Sequence, residues 1–396
     1  MDDDDIKIKF VNIKSENVFL IETYFKGFEK LPRRDWERGL EYIVGQMEND
    51  HVVTKGDFEI DPQTNEITVI SKERGISFGV SANTDKTSST RFQLANPFGK
   101  GGLVGFEFSA GLYKNNNGSV SYTDRFGNTL SLLKSSQDPV IKDRNFKIDE
   151  TTLSYSFQKN SNKFSIFAGD STVSVLNKNK NKEHLANTGL AFKTGISHIY
   201  SSNLRSKSIN RLFKIQNELA FPILSSCSFF KSNITYSLDF PLYEQLKFRG
   251  DFITGGIFNF SKDSMIPISE RFFNGRHYNF EGFVDSSLTE KGRSPYLGSS
   301  FFFTFRTALL HKIKDNASVM AYHCIGNTVL PLDSNETTFK STALKLFSTN
   351  SIRSSIGLGI SVDMGSADIE CSLVKPLFFN SQDELNNFAF GINIKI

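Results

Sequence analysis

Very little in this chain is spaced for covalent chemistry. The three cysteines, Cys227, Cys324 and Cys371, are far apart in a 396-residue sequence and odd in number. They outline neither a metal site nor a disulfide framework, and read as small apolar fillers. The six histidines, at positions 51, 184, 198, 277, 311 and 323, are scattered. Gly99, Gly101 and Gly102 have the density of a phosphate-cradling loop, but after Asn96-Pro97-Phe98 they read as a tight β-turn. No P-loop, paired-cysteine motif, Gly-x-Ser-x-Gly or His-Glu-x-x-His occurs. His277, Asp285 and Glu290 read as polar loop residues, the two acids solvated. The expectation is a protein that is not an enzyme and needs no metal or cofactor. A formal net charge of +3 is too weak to draw nucleic acid.

What the chain does carry is pattern. Residues 1–74 form one candidate unit. Ile6 to Phe10 alternates and reads as a strand. Phe19, Leu20, Thr23 and Tyr24 fall at helical spacing within residues 16–29. After Pro32, the positions Trp36, Leu40, Ile43, Val44 and Met47 make one apolar stripe of an amphipathic helix. Val52–Ile60 and Glu66–Ser71 then read as strands around a turn at Asp61 to Asn65. The order is β-α-α-β-β, a small α+β unit with a three-stranded sheet.

From Gly75 to Ile396 the helical period disappears and a period of 2 replaces it. Leu153, Tyr155 and Phe157 alternate with Ser154, Ser156 and Gln158. Ile356, Leu358, Ile360, Val362 and Met364 alternate with Gly357, Gly359, Ser361 and Asp363. Phe388, Phe390, Ile392, Ile394 and Ile396 close the chain in the same way. Each strand has an apolar and a polar face. A soluble sandwich shows that too, but three features favour a barrel in lipid. The apolar faces are rich in Phe and Ile. The polar faces are small and sparsely charged. The region is also long, and roughly 20 residues per strand and connection gives about 16 antiparallel strands. No run of about 18 apolar residues exists, so a transmembrane helix is excluded. The acidic start, Met1 followed by Asp2 to Asp5, is unlike a secretory signal or an Arg-rich transit peptide. It suggests synthesis in a eukaryotic cytosol and import into an organelle outer membrane.

The segment from Glu270 to Phe283 resembles the signature loop of the BamA-like outer-membrane insertase superfamily. Arg271, Phe272, Phe273 and Gly275 match its start, and Gly282 and Phe283 match its end. Asn96 to Gly102 resembles an early turn of the family, and the three last alternating segments resemble its last strands. The β-α-α-β-β unit is similar to one polypeptide-transport-associated (POTRA) domain. The resemblance implies an all-β transmembrane barrel over residues 75–396 with a loop at about 262–294 folded into the lumen. There the family's second signature arginine meets an acidic patch on the wall. Glu281 stands at that position here, a charge reversal, leaving Arg276 or Arg293 to substitute for it.

With a single N-terminal unit and no export signal, the chain looks like a divergent version of the mitochondrial branch, the central barrel subunit of the sorting and assembly machinery (SAM). The function this implies is insertion of β-barrel precursors into the mitochondrial or mitosomal outer membrane, with the N-terminal unit in the intermembrane space. The implied partners are precursors, accessory subunits of the sorting and assembly complex and the lipid bilayer. A lateral gate would lie between Ile76–Asn83, with Ile76, Phe78 and Val80, and the last strand, with Phe388, Phe390, Ile392 and Ile394. The competing readings are a porin-like channel or protein-translocating pore of an outer membrane, and a soluble carbohydrate- or lipid-binding β protein.

Overall fold

The computed structural model describes residues 7–11, 21–26, 28, 31–32, 35–49, 55–61, 66–72, 75–82, 87–95, 101–111, 116–137, 146–175, 189–205, 209–221, 225–260, 266–274, 280–284, 288, 290, 297–314, 316–330, 339–348, 351–364 and 367–394. Two sheets account for most of it. The first is three-stranded, with β1 (Lys7–Val11) parallel to β3 (Glu66–Lys72), and β2 (Lys55–Asp61) antiparallel to β3 on its other side. Helix α1 (Trp36–Asn49) packs against it. The stripe Trp36, Leu40, Ile43, Val44 and Met47 is buried together with Ile67 and Val69 of β3. Of the helix expected over 16–29, the described part is a helical start at Ile21 that tightens into a 3-10 turn at Thr23–Phe25. Ile21, Phe25 and Phe28 complete the core.

The second sheet has sixteen strands in strict sequence order, from β4 (Gly75–Ala82) to β19 (Phe388–Ile394), every neighbouring pair antiparallel. Sequential antiparallel pairing needs only short connections, and places successive connections at alternate rims.

Which face looks outward decides between a sandwich and a membrane sheet. On β9 (Phe146–Lys159), Leu153, Tyr155 and Phe157 are 50%, 46% and 42% exposed, while Ser156 between them is 4% exposed. The same holds on β17 (Arg353–Asp363), where Ile356, Leu358 and Ile360 are exposed and Ser355 is buried. The apolar residues face out and the small polar ones face in. A water-soluble sheet buries the opposite face; lipid is the solvent that suits this one.

The inner face is concave. Arg249 of β14 (Leu246–Asn259) lies 3.5 Å from Glu370 of β18 (Ala367–Phe378). Three strands lie between them, four inter-strand spacings or about 19 Å along a flat sheet, so the sheet must curl round an interior. Its two end strands, β4 and β19, come within 8 Å of each other between Cα atoms, yet no ladder joins them among the described residues.

An additional helix, α2 (Phe339–Leu346), interrupts the connection between β16 (Ala317–Val329) and β17. No helix was expected beyond Gly75. Two turns are too short for the 3.6-residue period to stand out against strands on either side. Among the described residues no helix is long and apolar enough to cross a membrane.

Candidate functional site

The connection from β14 to β15 (Phe301–Lys314) turns back into the concave interior. It is anchored by a 3-10 turn at Ile268–Glu270 and by buried Phe272, Phe280 and Phe283. The ring of Phe272 packs on Phe302 of β15 with centroids 4.8 Å apart, in a space that Gly255 of β14 leaves open. A side chain at Gly255 would meet both rings, so glycine is required by the close approach. Phe280 and Phe283 stack at 4.9 Å and pack with Ala308, Met320, Tyr322 and Val374 of the wall.

Arg271 bonds to both arms of the loop. Its Nε and Nη2 donate to the Ile266 carbonyl at 3.1 and 2.9 Å, and its Nη1 donates to the Leu297 carbonyl at 3.1 Å. It therefore ties the outgoing and returning arms of the loop together. Phe272 and Ser299 reinforce this with reciprocal backbone bonds of 2.9 and 2.7 Å. Burial pushes the Arg271 guanidinium down, to about 10, because removal from water disfavours the charged form.

Glu270, next to it, makes the contact with the wall. Its carboxylate is 2.8 Å from Lys193 of β11 (Gly189–Arg205) and 3.9 Å from Lys231 of β13 (Phe229–Tyr243). Lys231 also donates to the Glu270 carbonyl at 2.8 Å. Burial alone would raise the Glu270 carboxyl; the two ammonium groups more than offset this and hold it below its ordinary value.

The far end of the signature is held by a second ion pair of the same polarity. Glu281 is 3.5 Å from Arg306 of β15, and the Cys324 thiol of β16 donates to its carboxylate at 3.2 Å. The Glu281 carbonyl accepts from the Ser355 hydroxyl at 2.6 Å. Arg306 also faces Asp251 of β14 at 3.9 Å and Glu370 of β18 at 3.8 Å. The charge reversal at 281 is thus compensated: the loop carries the acid and the wall supplies the arginine. The expected substitutes, Arg276 and Arg293, lie outside the described residues, as do Gly275, His277 and Asp285. Glu290 is not a free solvated acid; its carboxylate accepts the Leu330 backbone N–H at 3.0 Å.

Gly282 follows with φ at +96°, against Ser355 and Val374. It accepts from Asn386, and Val284 donates to the Glu384 carbonyl. This fastens the loop to the β18–β19 connection. That connection is held in turn by Arg353 of β17, whose guanidinium donates to both Asp383 oxygens at 2.8 Å.

The expected gate residues fall on the two end strands. Ile76, Phe78 and Val80 of β4 pair with Leu94, Phe92 and Thr90 of β5 (Thr87–Ala95). Phe388, Phe390, Ile392 and Ile394 of β19 pair with Leu373, Cys371, Ile369 and Ala367 of β18. Phe388 is half exposed; the other side chains of this set lie outside the described residues. The loop is linked to β19 by this chain of contacts through the β18–β19 connection. The wall partners Lys193, Lys231 and Arg306 were not singled out from sequence. Their only signal there is a basic residue on an otherwise small polar face.

The profile of the Omp85 superfamily domain matches residues 74–396. The chain belongs to the Omp85 superfamily. Among solved structures, BamA from Haemophilus ducreyi lacking POTRA domains 1–3 superposes with a TM-score of 0.73 at 14% identity, over 98% of this chain and 84% of that one. CdiB from Acinetobacter baumannii gives 0.50 at 13% identity, over 98% and 73%. No curated protein sequence matches. The Omp85 domain makes this an outer-membrane protein, an insertase or transporter with a BamA-like sheet.

Proposed function

We propose that this Omp85 protein is an insertase that folds and inserts β-barrel precursors through a lateral gate between β4 and β19. The observation that carries the proposal is the seam: two end strands brought side by side with no ladder among the described residues. An unpaired edge in lipid leaves N–H and C=O groups without partners, which is costly. An arriving precursor strand satisfies them by β-augmentation. Strand pairing and burial in lipid drive the step, so the proposal assigns no enzyme chemistry and no cofactor. The sheet is read as a barrel closed weakly at that seam. The β-α-α-β-β unit is read as a POTRA-like domain that receives precursors.

The membrane is proposed to be the outer membrane of mitochondria or mitosomes, with the N-terminal unit in the intermembrane space and accessory subunits of a sorting and assembly complex as partners. What supports this finer placement is the resemblance of the sequence to the mitochondrial branch of the family. The porin-like alternative is disfavoured by the loop, which fills the concave interior with buried rings and ion pairs.

The seam is tested with cysteines at Val80 and Ile392, in a Cys371→Ser background. A quantitative disulfide between them is expected to stop precursor assembly, and reduction to restore it. Unimpaired assembly by the locked protein would overturn the gate. Fractionation of a eukaryotic host tests the placement: the protein is expected in the mitochondrial outer membrane with its N-terminal unit protected from external protease.

A further inference from the structure

Helix α2 lies on the outside of the sheet. Leu346 packs with Phe303 of β15 and Val329 of β16, and the Phe347 ring stacks on Phe303 with centroids 5.2 Å apart. Phe303 has the parity of Phe305 and Leu309, which are exposed on the outer face. The helix is held there by Asn327 of β16, whose Nδ2 donates to the carbonyls of Leu346 at 2.7 Å and Lys345 at 3.3 Å. These are C-terminal carbonyls that a helix cannot satisfy internally. Leu344 and Phe347 are 67% and 63% exposed, with exposed Lys345 between them.

Beside the helix the outer wall is dented. Ser232 of β13 and Thr254 and Gly256 of β14 form a floor of small residues, with Phe258 and Phe301 standing at its sides and Phe347 at its lip. The cleft measures about 350 Å3, within the roughly 300–1,000 Å3 of ordinary ligand pockets. The Thr254 hydroxyl is turned to the Phe302 carbonyl at 2.8 Å, so it offers the cleft little polarity. An empty apolar cleft forfeits dispersion contacts along its whole lining.

We propose that this cleft holds one acyl chain of a bilayer phospholipid, with α2 lying in the headgroup layer and Lys345 beside the phosphate. Three observations converge on a lipid. The cleft opens on the outward apolar face that the Omp85 domain turns to the membrane. Its lining is aromatic and small. The cation stands at the helix edge, where a lysine reaches the headgroups while its stem remains among apolar neighbours. The proposal rests on the membrane location and not on the insertase reading; a channel would bind the same lipid.

The experiment uses the full chain in phosphatidylcholine vesicles doped with a phospholipid that carries a photoactivatable diazirine mid-chain. Labelling is expected to concentrate on the peptides around Ser232, Gly256 and α2, well above that at Leu153 on β9, away from the cleft. Filling the floor with Ser232→Leu, or with Gly256→Val should the first variant not fold, is expected to remove the excess and leave Leu153 labelled. Equal labelling at the two places, or an excess that survives both variants, would overturn the proposal.

A second readout places tryptophan at position 347 (F347W) in a Trp36→Phe background, with phospholipids brominated near the headgroup. Quenching is expected. Quenching by aqueous iodide alone sinks the interfacial placement, provided a Leu153→Trp reference is quenched by bromine lower in the chain. If that reference also escapes bromine, the membrane location itself fails.

Discussion

The sixteen-stranded sheet has two unequal arcs. From β9 to β18 the strands run 11 to 17 residues. From β4 to β8, and in β19, they run only 7 to 9 among the described residues. A tilted strand needs about 9–11 residues to cross a bilayer, so the second arc stands at or below that length. Most of the described loop contacts fall on the long arc: Ile148 of β9 with Ile268, Ser269 with Ser171 of β10 (Asn162–Val175), then β11, β13 and β15 to β18. On the short arc Ala389, at the start of β19, joins the cluster of Phe280 and Phe283. One arc is braced from inside by buried charge. The other is shorter, and within it the two end strands of the sheet meet with no ladder among the described residues. In a barrel of identical strands the seam would have no reason to open first. Here pairing length and bracing differ together, and the same loop that stiffens one arc touches the other at the start of β19.

The contrast between the arcs breaks most severely at Arg306. It faces three carboxylates, Glu281, Asp251 and Glu370, and is itself buried. Removing one partner of a buried ion pair costs about 3–5 kcal/mol. Arg306→Met should lower the thermal midpoint of the detergent-solubilised protein further than loss of either Arg271 or Glu270, and release the loop to protease. Asp251→Asn in the same chain should recover part of the loss. Unchanged stability of Arg306→Met would mean that the long arc is held by its ladders alone. A smaller effect is expected at Arg271, which joins the loop arms. Hydrogen bonds from a charged donor contribute about 1.5–3 kcal/mol each; taking the two acceptor carbonyls, Ile266 and Leu297, once each at the low end, Arg271→Ala should destabilise the loop by about 3 kcal/mol and cripple precursor assembly. Arg271→Lys should not restore it, since a single ammonium cannot replace the planar fork. Normal assembly by Arg271→Ala would remove the loop from the mechanism.

The arcs were differently legible in the sequence. Period-2 alternation gave the existence and number of strands, and outward exposure of Leu153, Tyr155 and Phe157 follows from it once the solvent is lipid. The strand β4, expected over 76–83, runs 75–82 among the described residues. Signature residues Glu270, Phe272, Gly282 and Phe283 were found through the family resemblance of one contiguous segment. Their partners were not, because Lys193, Lys231, Arg306 and Ser355 are contributed by four strands as far as 162 positions apart in numbering, from 193 to 355. Only the curl of the sheet brings them together. Glu281 illustrates the difficulty: a local reading saw a lost arginine, and the compensating Arg306 was visible only as one basic residue on a polar face. Helix α2 was missed for the opposite reason, its period being too short to register.

A milder test acts on Glu270 through pH. Its folded carboxyl lies below the ordinary value because Lys193 and Lys231 outweigh its burial. The group's contribution is therefore complete above the unfolded value of about 4.3 and is lost as pH falls through the lower folded value. Stability of the solubilised protein should fall on acidification in that window, and Glu270→Gln should flatten the fall while lowering stability at neutral pH. An identical pH profile in the variant would show that Glu270 is not what couples the loop to β11 and β13.

The smallest expected change in stability belongs to the short arc, and it discriminates most sharply. Gly79 sits in the middle of β4 and pairs with Arg91 of β5. Glycine weakens a strand interior by entropy and by having no side chain to pack, and β-propensities span only about 1 kcal/mol. Gly79→Val should therefore raise stability slightly, by at most about 1 kcal/mol. If the seam is the working edge, the same variant should slow precursor assembly, because a better-ordered β4 competes with the arriving strand for the edge of β19. Stability and activity would then move in opposite directions, the reverse of Arg306→Met, where both fall. A Gly79→Val protein that is more stable and equally fast would show that β4 is merely a short strand, and that the difference between the arcs has no bearing on insertion.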